Sequence, residues 1–401
     1  MGYDMTAAEA ARRLGIKQAT LYAYVSRGVL TRARAADGRG AGGRGSLFNA
    51  DEVERLALRG RPRRPAGTAD ITVESGITEI TADRLRYRGE DVIELARTRS
   101  LEEVAELLWT GQLPAEPPPY WQASHTALTC GQAAQAALPE AILPLERFQV
   151  IVPAMAATDP LRLQLDPAAV MAAGRSIVAG MVDCLPPQAA RTGLSVAARL
   201  WSRLSDSRPS PGLLRCMSAA LVLLADHELA ASTLAARAAA SVRADPYAVV
   251  ATGLGAVSGA LHGGSSLGAE TLLAGAHGLP SEVPRVVGEL LRRGERVPGF
   301  GHFVYKSGDP RAIALLDLVR RAAPKSAQLA VADAVVAEIR RKSLPEPNID
   351  FALATLARVA GLVTGAAETI FAVARVTGWI AHALEAYTTA PIRPRAVYTG
   401  P

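Results

Sequence analysis

The 401 residues predict a mainly α-helical fold, a small helix-turn-helix unit followed by a larger helical body. Three observations carry this reading. Aromatics make up only 5% of the chain, while alanine-rich runs such as Ala231–Ala240 abound. Alanine is the best helix former, and sheet proteins lean on aromatic and β-branched residues. From about Ile71 onward, helical patterns alternate with Pro and Gly breaks. Charge is also unevenly divided. Residues 1–65 hold 13 Lys and Arg against 6 Asp and Glu, and the remainder holds 31 against 32. The net charge of +6 therefore resides in a basic head, a separate unit for which a polyanion is the candidate partner.

Length and composition bound the rest. A chain of this size is too long for one compact core and points to two or three domains. Hydrophobic residues at 49% and charged residues at 20% are ordinary for a globular protein in water. Cys130, Cys184 and Cys216 are odd in number and far apart, which argues against a disulfide framework or a metal site and for a reducing cytoplasm. No apolar leader opens the chain, and no uninterrupted apolar run is long enough to span a membrane. His-Glu-x-x-His and Gly-x-x-x-x-Gly-Lys patterns are missing, so neither a metal nor a bound cofactor is expected.

In chain order, Thr6-Ala7-Ala8-Glu9 reads as a capping box, with Ala10, Ala11 and Leu14 as an apolar face and Gly15 as the stop. A second helix over Ile16–Tyr24 completes a helix-turn-helix. Gly28-Val29-Leu30 and Ser46-Leu47-Phe48, flanking an arginine-rich loop, are placed as a two-stranded wing, and a third helix starts at Asp51. Residues 1–60 resemble the winged helix-turn-helix of the MerR and excisionase type. The resemblance implies a second helix in the DNA major groove and a wing on the backbone. Candidate contacts are Lys17, Gln18, Thr20, Tyr22, Tyr24 and Arg27, with Arg32, Arg34, Arg39 and Arg44 in the wing. The alternative is a packing or assembly module that binds no DNA. Residues 61–70, rich in Arg, Pro and Gly, read as an exposed linker. Ile71, Val73, Ile77 and Ile80 suggest short strands, Glu90–Ala96 an amphipathic helix, and Ser100–Ala105 a further capping-box start.

Chemistry-bearing residues concentrate downstream, in Ala225-Asp226-His227-Glu228, Leu261-His262-Gly263-Gly264, Gly299-Phe300-Gly301-His302, Asp309-Pro310-Arg311 and Pro347-Asn348-Ile349-Asp350. Half of the chain's six histidines fall in this set. A lone histidine is more often structural, but several separate motifs in one order are a stronger signal. Over residues 71–401 they resemble the signature of citrate synthase. Tyr87-Arg88-Gly89 and the turn Gly111-Gln112-Leu113-Pro114 resemble the family's opening. Phe371–Arg375 resembles the helix bearing a second substrate arginine, and Ile392-Arg393-Pro394-Arg395 resembles the C-terminal tail.

The resemblance implies a large helical domain and a smaller one at about residues 264–362, with the active site in the cleft between them and closure that excludes water. It implies an acyltransferase of the tricarboxylic acid cycle that joins acetyl-CoA to oxaloacetate, with 2-methylcitrate synthesis from propionyl-CoA as the alternative. In that scheme Asp350 is the general base, His262 stabilises the enol and His302 polarises the keto carbonyl. His227, Arg311 and Arg375 hold oxaloacetate, joined by Arg393 from a partner subunit of a homodimer. Val297, Pro298, Gly299, Phe300, Gly301 and Lys306 meet coenzyme A. Desolvation in an apolar setting would raise the pKa of Asp350 and suit it to its role. Three stretches depart from the family pattern: Ser265-Ser266 for Ala-Asn, Phe303 for Arg, and Ala352-Leu353-Ala354 for Tyr-Ser-Gly. The winged helix and the departures after His302 and Asp350 leave a rival of another class, a DNA-binding regulator whose synthase-like body senses a metabolite.

Overall fold

The computed structural model describes residues 3–14, 18–26, 30–34, 46–50, 52–53, 73–81, 84–191, 193–305 and 308–394. They belong to two compact units, Met1–Val73 and Glu74–Pro401.

The first unit contains β1 (Tyr3–Thr6), α1 (Ala7–Leu14), α2 (Gln18–Ser26), β2 (Arg32–Arg34) and β3 (Ser46–Asn49). The expected capping box is formed. The Thr6 N–H donates to Glu9 Oε2 at 2.9 Å, and the Glu9 N–H donates to Thr6 Oγ1 at 3.3 Å. Ala10, Leu21, Leu30, Phe48 and Val53 make a small core. The sheet differs from the expected two-stranded wing. It has three antiparallel strands in the order β1-β3-β2. Tyr3–Thr6 is too short for a period-two pattern to reveal it; Gly28 and Val29 lie outside the described residues, and the strand beside Ser46–Asn49 on that side is Arg32–Arg34. Gln18, Thr20 and Tyr22 are exposed on α2. Tyr22 meets the Phe48 ring at 6.2 Å and the Arg32 guanidinium at 5.9 Å, while Tyr24 packs against the core. Lys17, Arg27, Arg39, Arg44 and the linker lie outside the described residues.

The second unit opens with an antiparallel sheet of β4 (Thr78–Ile80), β5 (Leu85–Tyr87) and β6 (Glu90–Asp91). The helix expected from Glu90 begins two residues later, because Asp91 serves as its cap and accepts from the N–H groups of Ile93 and Glu94. The helices are α3 (Val92–Thr98), α4 (Leu101–Thr110), α5 (His125–Ala136), α6 (Pro144–Ala156), α7 (Pro167–Cys184), α8 (Val196–Leu204) and α9 (Pro211–Leu224). They continue with α10 (Ala231–Ser241), α11 (Pro246–Val257), α12 (Gly264–Ala274), α13 (Val283–Arg292), α14 (Pro310–Ala322), α15 (Ala327–Arg341), α16 (Ile349–Ala360) and α17 (Ala366–Ala386).

Local sequence explains where these helices start. Ser100, Ser124, Asp166, Ser195, Ser210, Asp245, Ser326 and Asn348 each accept a backbone N–H at a first turn. Proline fills early positions of α7, α9, α11 and α14, where its missing N–H costs nothing. α17 is buried on nearly every side, which its apolar run Ile370–Val373 and small residues allow. It packs on α7, α9, α10, α11 and α12. The start of α17 lacks a side-chain cap of its own, and Glu270 of α12 accepts the N–H groups of Gly365 and Ala367 instead.

Candidate active site

A cavity of about 610 Å³ gathers His227, His262, His302, Arg311, Asp350 and Arg375. Each arrives from a different element. His227 follows the C-terminus of α9, as the apolar run Leu221–Leu224 suggests, and His262 sits on the turn between α11 and α12. His302 lies on the loop before α14, Arg311 and Asp350 in the first turns of α14 and α16, and Arg375 inside α17.

The loop bearing His302 is zipped onto the segment before α16. The N–H of Gly301 donates to Glu346 O, the N–H of Asn348 donates to Gly299 O, and Asn348 Nδ2 donates to Gly301 O. Gly299 has φ +81°, and an added Cβ would fall 2.8 Å from Phe351 Cβ, so a side chain there would push the loop off α16. Gly299 O, Gly301 N–H and Gly301 O are thereby engaged, and Val297–Gly301 line the cavity. His302 Nδ1 accepts the N–H groups of Val304 (3.1 Å) and Tyr305 (3.3 Å). A nitrogen that accepts is unprotonated, so the ring proton belongs to Nε2, which is thereby a donor. The Tyr305 ring stacks on His302 at 4.7 Å, and its hydroxyl lies 3.1 Å from His227 Nε2. Burial, then the positive charge of Arg311 and Arg375, holds His227 well below the usual histidine range, so it is neutral.

Ser232 Oγ lies 2.7 Å from His262 Nε2, and Phe371 meets the ring edge-on at 5.4 Å. Burial, aided by Arg375, pushes His262 down to about 4. A neutral His262 can donate a hydrogen bond without carrying charge of its own.

Both arginines are buried, and they are not alike. Asp309 takes the Nε–Nη2 edge of Arg311 at 3.0 and 2.8 Å. That leaves the Nη1–Nη2 edge of Arg311 for any further bidentate partner. Arg375 stacks on Phe371 at 4.6 Å and donates through Nε to Leu224 O at 2.8 Å. Its Nη1 is buried and has no hydrogen-bond partner among the described residues. A buried guanidinium left partly unsatisfied is costly, and an anion in the cavity would complete it.

Asp350 has its backbone N–H capped by Asn348 Oδ1 at 3.0 Å. Its side chain opens partly on the cavity yet is crowded on all sides by protein, and desolvation raises its pKa, as expected. Ser266 Oγ donates to its Oδ1 at 2.6 Å.

Asp226 is fully buried beneath the site, accepting from Thr78 Oγ1 at 2.6 Å and from the Glu228 N–H at 3.0 Å. His382 Nε2 faces its Oδ1, while His382 Nδ1 lies 2.9 Å from Arg237 Nη1. Arg237 in turn donates to Glu385 Oε2 at 2.8 Å. His382 and Glu385, three residues apart on α17, were missed, although that spacing puts them on one helix face. Ser232, Ser266, Tyr305 and Arg296, which lines the cavity beside Val297, were likewise given no role. A second cavity of about 570 Å³ shares Arg296–Val297 and Phe300–Phe303 with the first. Phe303 is exposed there. Arg393 is exposed beyond α17 and does not line its own chain's cavity, and Lys306 lies outside the described residues. Among the described residues, no cluster of His, Cys, Asp and Glu is arranged to hold a metal ion, and no helix is long and apolar enough to cross a membrane.

Residues 67–395 match the family model described as the C-terminal domain of citrate synthase. Citrate synthase 2 of Bacillus subtilis is 31% identical over 365 residues, which cover 82% of this chain and 94% of that protein. The 2-methylcitrate synthase of Mycobacterium tuberculosis is 30% identical, covering 85% of this chain and 91% of its own length. Among solved structures, the citrate synthase of Thermoplasma acidophilum in ternary complex with carboxymethyl coenzyme A and oxaloacetate is similar, with a TM-score of 0.70 at 25% identity, over 83% of this chain and 95% of that one. A match of this length and identity, over the residues that build the cavity, means that the chain belongs to the citrate synthase family.

Proposed function

We propose that this chain condenses acetyl-CoA with oxaloacetate and releases citrate and free coenzyme A. The observation that carries the reading is one cavity holding a desolvated carboxylate, neutral histidines and two buried arginines, one with an unpartnered Nη1. Asp350 takes a proton from the acetyl methyl, and the C–H electrons pass into an enol whose oxygen His262 stabilises. The new carbon nucleophile attacks the keto carbon of oxaloacetate, whose oxygen takes the hydrogen bond of His302 Nε2. Preorganised donors aimed at developing charge supply much of the rate in such a step. Arg311, Arg375 and His227 hold the dicarboxylate, and Arg393 of one copy completes the site of the other in a homodimer. Water then cleaves the thioester, and closure of residues 264–362 over the cleft keeps it out until that point. The adenine nucleotide of coenzyme A rests in the second cavity, which Arg296 lines, and Lys306 is a candidate for one of its phosphates.

Acetyl- and propionyl-CoA differ by one methylene, worth at most about 1–3 kcal/mol of discrimination in an apolar pocket. Release of free coenzyme A from each thioester with oxaloacetate therefore decides between citrate and 2-methylcitrate synthesis. No release from either would overturn the synthase reading.

The basic head supports a second role. We infer that residues 1–60 form a winged helix-turn-helix that binds DNA through Gln18, Thr20, Lys17 and Arg27, with Tyr22 and Arg32 nearby. Its binding to duplex DNA falls steeply with salt if phosphates are neutralised. Retention of a fixed affinity across salt, or no binding by the full chain, would reduce the head to an assembly module.

A further inference from the structure

Asp350 has to satisfy two opposed demands. A base must stand in a dry place to be reactive, and a dry place favours its neutral, useless form. Asp350 is crowded by protein and raised by desolvation. What keeps it ionised must come from its neighbours. The charged groups that reach it are Arg311 from α14, Arg375 from α17 and, with the wrong sign, Asp309. Asp309 already takes one edge of Arg311, and Asp226 acts on Arg375, so neither cation is wholly available. Across the cavity His262 is neutral.

The remaining support is a hydroxyl. Ser266, in the first turn of α12, is fully buried and donates to Asp350 Oδ1 at 2.6 Å. α12 and α16 pack closely, which fixes both partners on rigid helical turns. A hydroxyl donor to an ionised carboxylate makes a short, charge-assisted bond, and Ser266 is a neutral donor that adds no charge of its own. Ser265, its neighbour, lines the cavity and also lowers the Asp350 pKa, less than Ser266 does. These two serines stand where the family pattern suggests Ala-Asn.

We propose that Ser266 is a positioning residue of the reaction, holding Asp350 in its ionised form and pinning Oδ1 so that the other oxygen receives the substrate proton. This rests on the reading of Asp350 as the base. Removing the hydroxyl leaves the carboxylate buried with one fewer donor, so its protonation midpoint rises.

The test is the pH profile of kcat/KM for acetyl-CoA in wild type, Ser266→Ala and Ser266→Thr. In Ser266→Ala the acid limb is expected to move up by about one pH unit, the shift expected from one hydrogen bond to a charged group. The high-pH plateau is kept, and Ser266→Thr, which retains the hydroxyl, restores the limb. A uniform loss at every pH with an unmoved midpoint would mean that Ser266 only packs, and overturns the proposal. The carboxyl ¹³C resonance of Asp350, assigned by its loss in Asp350→Asn, gives a readout independent of turnover. Absence of turnover in wild type would refute the synthase reading alone. An unmoved Asp350 titration in Ser266→Ala would refute the role of Ser266 alone.

Discussion

His382 Nε2 faces Asp226 Oδ1 at 3.4 Å, directly beneath the cavity wall that carries His227. The other ring nitrogen receives Arg237, a residue that can only donate, so the proton of His382 sits on the side of Asp226. His382→Ala removes the ring that faces a fully buried carboxylate at 3.4 Å and is expected to cost about 1–3 kcal/mol. It also loosens the turn 226–228, so the KM for oxaloacetate rises more than kcat falls. Desolvation works against ionisation of Asp226, but His382, Arg375 and Thr78 outweigh it and depress its pKa. Its stability contribution is therefore present above the unfolded-state value and lost as pH falls through the folded one. Chemical denaturation of wild type and His382→Ala should show a deficit at neutral pH that shrinks on acidification.

Gly378 lets α17 approach that same turn. A Cβ there would overlap Ala225 O and the Asp226 carboxylate, neither of which can swing away. Gly378→Ala should destabilise by about 1–3 kcal/mol, the usual cost of overpacking. Thermal unfolding checks the first effect, and oxaloacetate affinity checks the displacement of His227.

Ser232→Ala removes the partner of His262 Nε2. Loss of one hydrogen bond that orients a reacting group should lower kcat by about tenfold, since about 1.4 kcal/mol is a factor of ten. The KM for oxaloacetate should hardly change. A change confined to KM would remove His262 from the chemical step.

Arg375 is buried with its Nη1 unpartnered among the described residues, while its Nε donates to Leu224 O and its charge faces Asp226. Arg375→Met gives up the bond to Leu224 O and the cation that helps keep the buried Asp226 carboxylate ionised, and removing one member of a buried charge pair destabilises. The melting temperature without ligand should fall. The shift produced by added oxaloacetate should vanish, because that shift measures binding to the native state.

His262 titrates near 4 in the folded chain, below the ordinary histidine value of 6.5, because burial opposes its charge. The unfolded chain binds the proton first as pH falls. Stability from this group is therefore full above the unfolded value and declines as pH drops through the interval between the two. Activity should show no limb from His262 near neutrality. Its acid limb belongs to the raised Asp350, and kcat/KM should climb with pH through a midpoint above that of an ordinary carboxylate.

The sequence was readable where chemistry is local. Capping boxes at Thr6 and Ser100 need only residues three apart, and both formed. The family resemblance pointed to His227, His262, His302, Arg311, Asp350 and Arg375, which the cavity gathers; glycine, proline and apolar runs set the first five on turns or helix ends, while Arg375 lies inside α17. Long-range pairing was not readable. Thr78 lies 148 residues from Asp226, and Ser266 lies 84 from Asp350, distances at which no pattern couples two positions. The three-stranded sheet of the head was missed for the same reason, since β1 pairs with a strand over forty residues away.

The central claim is that Asp350 is the base. The most direct measurement is coenzyme A release by Asp350→Asn beside wild type, with oxaloacetate binding followed by calorimetry in both. A positioned general base contributes about 10²–10⁴-fold, so the variant should bind oxaloacetate and lose turnover by a factor in that range. Turnover within tenfold of wild type, with binding intact, would contradict the assignment and leave the cavity without its proton acceptor.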